Sequence, residues 1–262
     1  MNRIEQQFSK RLSNGEKLFI PYIMAGDGGL DVLGKRLALL EKFGASAIEI
    51  GIPFSDPVAD GPTIQKAGIR ALQVGTTLRD VLDELKEVRS MISIPLIIMT
   101  YMNPIMAYGI EKFVSNCKKA GIDGCIIPDL PIEEEGLIVN QLEGAGIELI
   151  RLVTMTTPKD RIQKIAERGR GFLYTVTVKG ITGVRNDFNG DLSAFLKSVK
   201  ELSRIPVLAG FGVSTPEQVK KISRDCDGVV VGSKIVELLN VEKVSEIKHL
   251  IQSIKEIEIM KQ

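Results

Sequence analysis

Short apolar runs alternate with stretches in which apolar residues recur three and four positions apart, from one end of the chain to the other. The runs have the length of buried strands: LFIPYIM (18–24), AIEIGIP (47–53), PLIIMTY (95–101), GCIIPD (124–129), ELIRLVT (148–154), FLYTVTV (172–178), PVLAGFG (206–212) and GVVVGS (228–233). The stretches between them read as amphipathic helices. They include LDVLGKRLALLEKFGA, VLDELKEVRSM, IEKFVSNCKKAG, EEEGLIVNQLEGAG, PKDRIQKIAERG, LSAFLKSVKEL, TPEQVKKISRD and a last segment from Glu242. Gly44, Gly121, Gly146 and Gly169 stand where a glycine C-cap is expected. Thr215 followed by Pro216 signals an N-cap with proline at the first helical position. Ile4, Phe8 and Leu12 predict an extra helix ahead of the first strand.

Strand–helix alternation implies parallel strands joined by helical crossovers. Eight units in 262 residues predict a single (β/α)8 TIM barrel over 1–262. The competing open, doubly wound sheet more often carries a G-x-G-x-x-G turn after its first strand, and AGDGGL (25–30) lacks the third glycine at that spacing. No linker or low-complexity tract divides the chain.

Charge changes this picture only by exclusion. With 34 basic and 33 acidic residues the net charge is +1, which gives no footprint for nucleic acid or an anionic membrane. No apolar run approaches the roughly 20 residues of a membrane helix. The polar N-terminus, which carries acids, reads as neither a signal peptide nor a typical transit peptide. Cys117, Cys125 and Cys226 include no C-x-x-C pair, so free, buried thiols in a reducing cytoplasm are expected. His249, in the last helix, is the one histidine. That rules out histidine-based triads and histidine-rich metal sites, and leaves acid–base work to carboxylates, lysine or tyrosine.

Two carboxylates then stand out in EIGIPFSDPVADGPTIQ (49–65). Side chains on a strand alternate faces, so Glu49 and Gly51 share one face and Ile48 and Ile50 the other. The isoleucines suit the helix-packing side, which leaves Glu49 in the barrel interior. Lost hydration there raises its pKa and suits it to proton transfer near neutral pH. Asp60 follows on the loop after the second strand, at the end of a barrel where chemistry is done. Alone, Asp60-Gly61 would be an ordinary turn; beside Glu49 it is a candidate second catalytic acid. The last two strands end in AGFGVST (209–215) and VGSKIV (231–236). Gly212 and Gly232 let backbone N–H groups approach a phosphate, and Ser233 adds a hydroxyl. The loop VKGITGVRND (178–187) reads as a mobile lid.

GIPFSDPVADGPTIQ with Glu49 before it, PLIIMTYMNPI, PDLPIEE, KGITGVR, LAGFGVS and VVVGSKIV together resemble the alpha chain of tryptophan synthase, over nearly the whole sequence. The resemblance implies a barrel enzyme that splits indole-3-glycerol phosphate into indole and glyceraldehyde 3-phosphate. It implies a partner, the tryptophan synthase beta chain, in an alpha2–beta2 tetramer, with pyridoxal phosphate in that partner and no cofactor in this chain. Matched residue by residue, Glu49 is the general acid–base and Asp60 the carboxylate facing the indole N–H. Tyr174 lies beside Glu49, and Tyr22, Ile64, Met99, Ile126 and Phe211 line the indole pocket. Thr182 closes over Asp60, while Gly183, Gly212, Gly232 and Ser233 hold the phosphate. Pro53, Asp56, Asn103 and Pro131 fall at the partner interface. Tyr22 stands where the family has Phe, and Met24 where it has Thr. Three other readings compete: a Schiff-base aldolase using Lys179, a regulatory partner without activity, and a lyase that releases indole without a beta chain.

Overall fold

The computed structural model describes residues 2–177, 189–210 and 212–256, with the backbone alone at 189 and 190. Eight parallel strands close into a barrel in chain order. They are β1 (Leu18–Met24), β2 (Ile48–Gly51), β3 (Leu96–Met99), β4 (Gly124–Ile126), β5 (Glu148–Thr154), β6 (Leu173–Val176), β7 (Val207–Gly210) and β8 (Gly228–Val231). β1 pairs with β2 in the register Tyr22↔Glu49 and with β8 in the register Leu18↔Gly228, which closes the ring. The strands β1 and β5 span the predicted residues. The other six are shorter, and prolines mark several of their limits: β2 stops before Pro53, β3 starts after Pro95, and β4 stops before Pro128. Proline has no N–H to give to a ladder.

Each predicted helical stretch contains a helix, and three helices were not anticipated: Pro62–Gln73, Met102–Tyr108 and Ser233–Asn240. They follow β2, β3 and β8, so all three lie at the end of the barrel where the candidate residues cluster. The cap predictions hold at Gly44 and Gly146, both left-handed C-caps. Thr215 caps Pro216–Ile222 in a reciprocal box with Gln218. Gly169 is a correction, because helix Lys159–Glu167 ends on Arg168 and Gly169 is not left-handed. A side chain there would instead crowd Ile205 and the Ala166 carbonyl.

Alternation along the strands sorts the core into two layers. Ile48 and Ile50 of β2, Leu96 and Ile98 of β3, and Val229 and Val231 of β8 face the surrounding helices. Ile20 and Tyr22 of β1, Ile97 and Met99 of β3, Ile126 of β4 and Tyr174 of β6 fill the interior. Glu49 is therefore interior, as its alternation with the two isoleucines requires.

The helix Arg3–Ser13 closes the N-terminal mouth. Asn2 caps it, and Ile4 and Phe8 are buried. Arg3 reaches Asp123 at 2.8 Å, and Asp123 also accepts the N–H of Leu96 at 3.0 Å, which ties the helix to the start of β3. The Phe8 ring lies 5.8 Å from Phe172, whose ring lies 6.2 Å from Tyr174. An aromatic column thus runs from this plug into the barrel. Phe8→Ala removes its base, so urea denaturation is expected to show a loss of about 3–5 kcal/mol, the range for a buried phenylalanine. A loss within error of zero would mean that the helix is a surface appendage.

Candidate active site

A cavity of about 190 Å³ opens among the C-terminal ends of the strands. Its floor is built by β1, β2, β3 and β6. Tyr22 and Glu49 are register partners on adjacent strands, and Met99 and Tyr174 complete the floor. Gly51, the next interior position after Glu49, leaves room for a neighbour: a Cβ there would stand 1.9 Å from the Tyr22 hydroxyl oxygen. Gly210 on β7 does the same for Tyr174, whose hydroxyl would lie 2.4 Å from such a carbon. Two missing side chains thus let two phenols cross the barrel beside one carboxyl.

Glu49 is 1% exposed, and its Oε2 has no hydrogen-bond partner. Burial is the main cause that pushes its pKa up to about 8, and the charge of Asp60 adds to it. Asp60 sits on the loop between β2 and helix Pro62–Gln73, half-buried. Burial raises its pKa to about 6, and hydrogen bonding from the Tyr101 hydroxyl pulls it part of the way back. At pH 7 the first carboxyl is mainly neutral and the second mainly ionised. The phenols of Tyr22 and Tyr174 are pushed well above their ordinary range, by burial first and then by these two carboxylates, so both keep their protons.

Tyr101 was not singled out by the sequence. It follows β3, and its hydroxyl accepts the N–H of Ala59 at 3.0 Å. Its ring packs on Phe54, 5.4 Å between centroids. It therefore grips the Asp60 loop at both ends. The next residue, Met102, donates its N–H to Asp129 at 2.9 Å, which joins the loops after β3 and β4. The signal available was its place at the C-terminal end of a strand.

The mouth is formed by the loops after β7 and β8. Gly212 has φ +76°, a left-handed conformation that residues with side chains rarely adopt. Gly232 is the N-cap of helix Ser233–Asn240, and no side chain caps that helix. Its leading N–H groups are left to other partners. Gly212, Gly232 and Ser233 all line the cavity, joined by Ser214 and Lys234, which the sequence reading did not assign.

Ile64 and Met99 line the cavity as expected. Ile126 is packed in the same interior cluster but does not reach the cavity wall. Met24 is buried, with its Cε facing Gly68 on helix Pro62–Gln73, so of the two departures Tyr22 alone lines the cavity. Asp56, Asn103 and Pro131 are exposed around one rim, whereas Pro53 is buried. Thr182, Gly183 and Phe211, the loop 178–187 and the rival nucleophile Lys179 lie outside the described residues. Cys117, Cys125 and Cys226 are free and buried, and burial pushes all three thiols up. His249 is exposed on its helix.

Comparison with known proteins gives this geometry a family. The sequence profile described as "Tryptophan synthase alpha chain" matches residues 8–262. The tryptophan synthase alpha chain of Bacillus mycoides (strain KBAB4) is 54% identical, over 94% of this chain and 95% of that protein. That of Bacillus anthracis (strain CDC 684 / NRRL 3495) is 52% identical, over 97% of this chain and 98% of that one. The crystal structure of tryptophan synthase subunit alpha from Legionella pneumophila str. Paris superposes with a TM-score of 0.88 at 34% identity, covering 98% of each chain. With a closed parallel barrel, two carboxylates lining one cavity and a glycine-lined mouth already in place, this chain belongs to the tryptophan synthase alpha chain family.

Proposed function

We propose that Glu49 and Asp60 carry out, in this chain, the carbon–carbon lyase reaction of its family: cleavage of indole-3-glycerol phosphate to indole and glyceraldehyde 3-phosphate. The observation that carries the reading is the buried, unpaired Oε2 of Glu49, in the same cavity as an ionised Asp60. The bond between C3 of the indole and C1′ of the glycerol breaks only if the ring can accept its electrons. Neutral Glu49 donates a proton to C3, and the ring nitrogen becomes cationic. Asp60, at hydrogen-bonding reach of the indole N–H, stabilises that charge in a water-poor site. Glu49, now a carboxylate, takes the proton of the C1′ hydroxyl. The C3–C1′ electrons fall back into the ring, indole leaves neutral, the aldehyde forms, and Glu49 is again protonated. One group serves as acid and then as base, which suits a pKa near neutrality.

Gly212, Gly232 and Ser233 serve the phosphate through backbone N–H groups and one hydroxyl, at the uncapped start of helix Ser233–Asn240. Tyr22, Ile64, Met99 and Tyr174 hold the indole. The rim carrying Asp56, Asn103 and Pro131 meets a beta chain, and the buried Pro53 shapes the loop beneath it. Pyridoxal phosphate chemistry belongs to that partner, and the steps assigned here need no cofactor in this chain. Tyr101 links the rim to Asp60, since it holds the loop that carries the carboxylate. Three unpaired buried thiols suit the cytoplasm.

Glu49→Gln keeps size and shape but removes the proton. Indole release from indole-3-glycerol phosphate, assayed with and without a beta chain, is expected to fall by about 10²–10⁴-fold or more, with substrate binding retained. A soluble variant that binds substrate and keeps more than roughly a tenth of the rate would refute the assignment.

The two carboxyls also set a pH profile. Activity needs Asp60 ionised and Glu49 protonated, so kcat/KM is expected to rise through about 6 and fall through about 8. Asp60→Asn should remove the acid limb of whatever activity remains. A flat profile from pH 5 to 9 would contradict the two-carboxyl mechanism.

Gly232→Asp tests the cradle. A Cβ at Gly232 would meet Tyr22 at ordinary contact distances, 3.6–3.7 Å, so the fold admits a side chain there. Its carboxylate would stand against the phosphate. Binding of indole-3-glycerol phosphate should be lost while indole still binds. Equal loss of both ligands would show collapse of the pocket and not a lost phosphate site.

A further inference from the structure

The cavity has a charge problem that glycine N–H groups only partly solve. A phosphate monoester arrives as an anion carrying close to two charges, and Asp60 already lines the space. Among the described residues, one cationic residue is part of the lining of that cavity: Lys234, on the first turn of helix Ser233–Asn240, two residues past Gly232. A lysine is misplaced there for helix stability, because the N-terminal end of a helix carries positive partial charge and favours anions. Glu237, one turn on, answers it with an ion pair at 3.1 Å. That pair uses one of the three donors of the ammonium. Lys234 is 28% exposed and Glu237 58%, so the contact is on the surface and readily exchanged.

We infer that Lys234 is a positioning and specificity residue for the phosphate. Its ammonium leaves Glu237 for the incoming phosphate and selects phosphorylated substrate over free indole. The inference rests on the assignment of Gly212, Gly232 and Ser233 to the phosphate. The backbone donors fix the place of the anion, and Lys234 supplies the net charge that they lack. Its length lets it act at the mouth while the chemistry proceeds at Glu49, so its effect belongs in binding and not in the proton transfers.

The test uses the full-length chain, with D,L-glycerol 3-phosphate as a binding probe in calorimetry and indole-3-glycerol phosphate in steady-state kinetics. Lys234→Met keeps length and apolar stem but loses the charge. At low ionic strength it is expected to weaken glycerol 3-phosphate binding and raise KM about tenfold, the scale of one lost charge near a doubly charged anion at a solvated mouth. The turnover number and the affinity for indole should not change. The difference from wild type should shrink as salt is added. Lys234→Arg should restore affinity, and Glu237→Gln, which frees the ammonium, should tighten it. Unchanged phosphate affinity in Lys234→Met, or a loss that extends equally to indole, would overturn the role of Lys234 alone. A wild-type chain that does not bind glycerol 3-phosphate would overturn both this inference and the phosphate cradle beneath it.

Discussion

The desolvation of one carboxyl organises this molecule. Glu49 can carry a proton at neutral pH only where water is scarce, and water is scarce only because the barrel is sealed. The seal at one end is the helix Arg3–Ser13, with Ile4 and Phe8 driven into the interior. At the level of Glu49 it is the packing of Tyr22, Met99 and Tyr174 around the acid. Each of these contacts is ordinary apolar burial. Together they set the ionisation state of the carboxyl they enclose.

The second carboxyl shows the opposite design. Asp60 lies on a loop, half-buried, and is mainly ionised at pH 7. A loop can hold a charge in place only if something grips its backbone, and Tyr101 does so through Ala59. The next residue, Met102, is held in turn by Asp129. The loops after β2, β3 and β4 are thus bonded to one another at the rim proposed to meet the partner. Two acids eleven residues apart in sequence are tuned separately, because one belongs to a strand and the other to this bonded set of loops.

Much of this was legible in the sequence, for identifiable reasons. Period-two alternation at Ile48, Glu49 and Ile50 fixed the side of the sheet on which the carboxylate stands. Gly44, Gly146 and Thr215 marked helix ends through backbone chemistry that is local. What was missed was not local. Helix Pro62–Gln73 buries Ile64, Ala67, Gly68 and Ala71, a face too small in side chain to register as an apolar stripe. Met102–Tyr108 carries Pro104 in its first turn, and Ser233–Asn240 follows its strand with only Gly232 between, so both hid behind the strand signals before them. Gly169 looked like a cap but is kept small by Ile205, more than thirty residues away. Tyr101 bears on the site through Phe54 and Ala59, partners that no pattern along the chain can reveal.

The buried acid also has a consequence for folding itself. In the unfolded chain Glu49 titrates near 4.5; in the barrel it holds its proton up to about 8. Between those values the folded state binds a proton that the unfolded state releases, so folding is accompanied by proton uptake. The sign follows directly: this residue costs nothing in stability below about pH 4.5, an increasing amount as the pH rises, and its full cost above about 8. At the pH of its work the chain accepts a less stable fold in order to keep a proton in reserve.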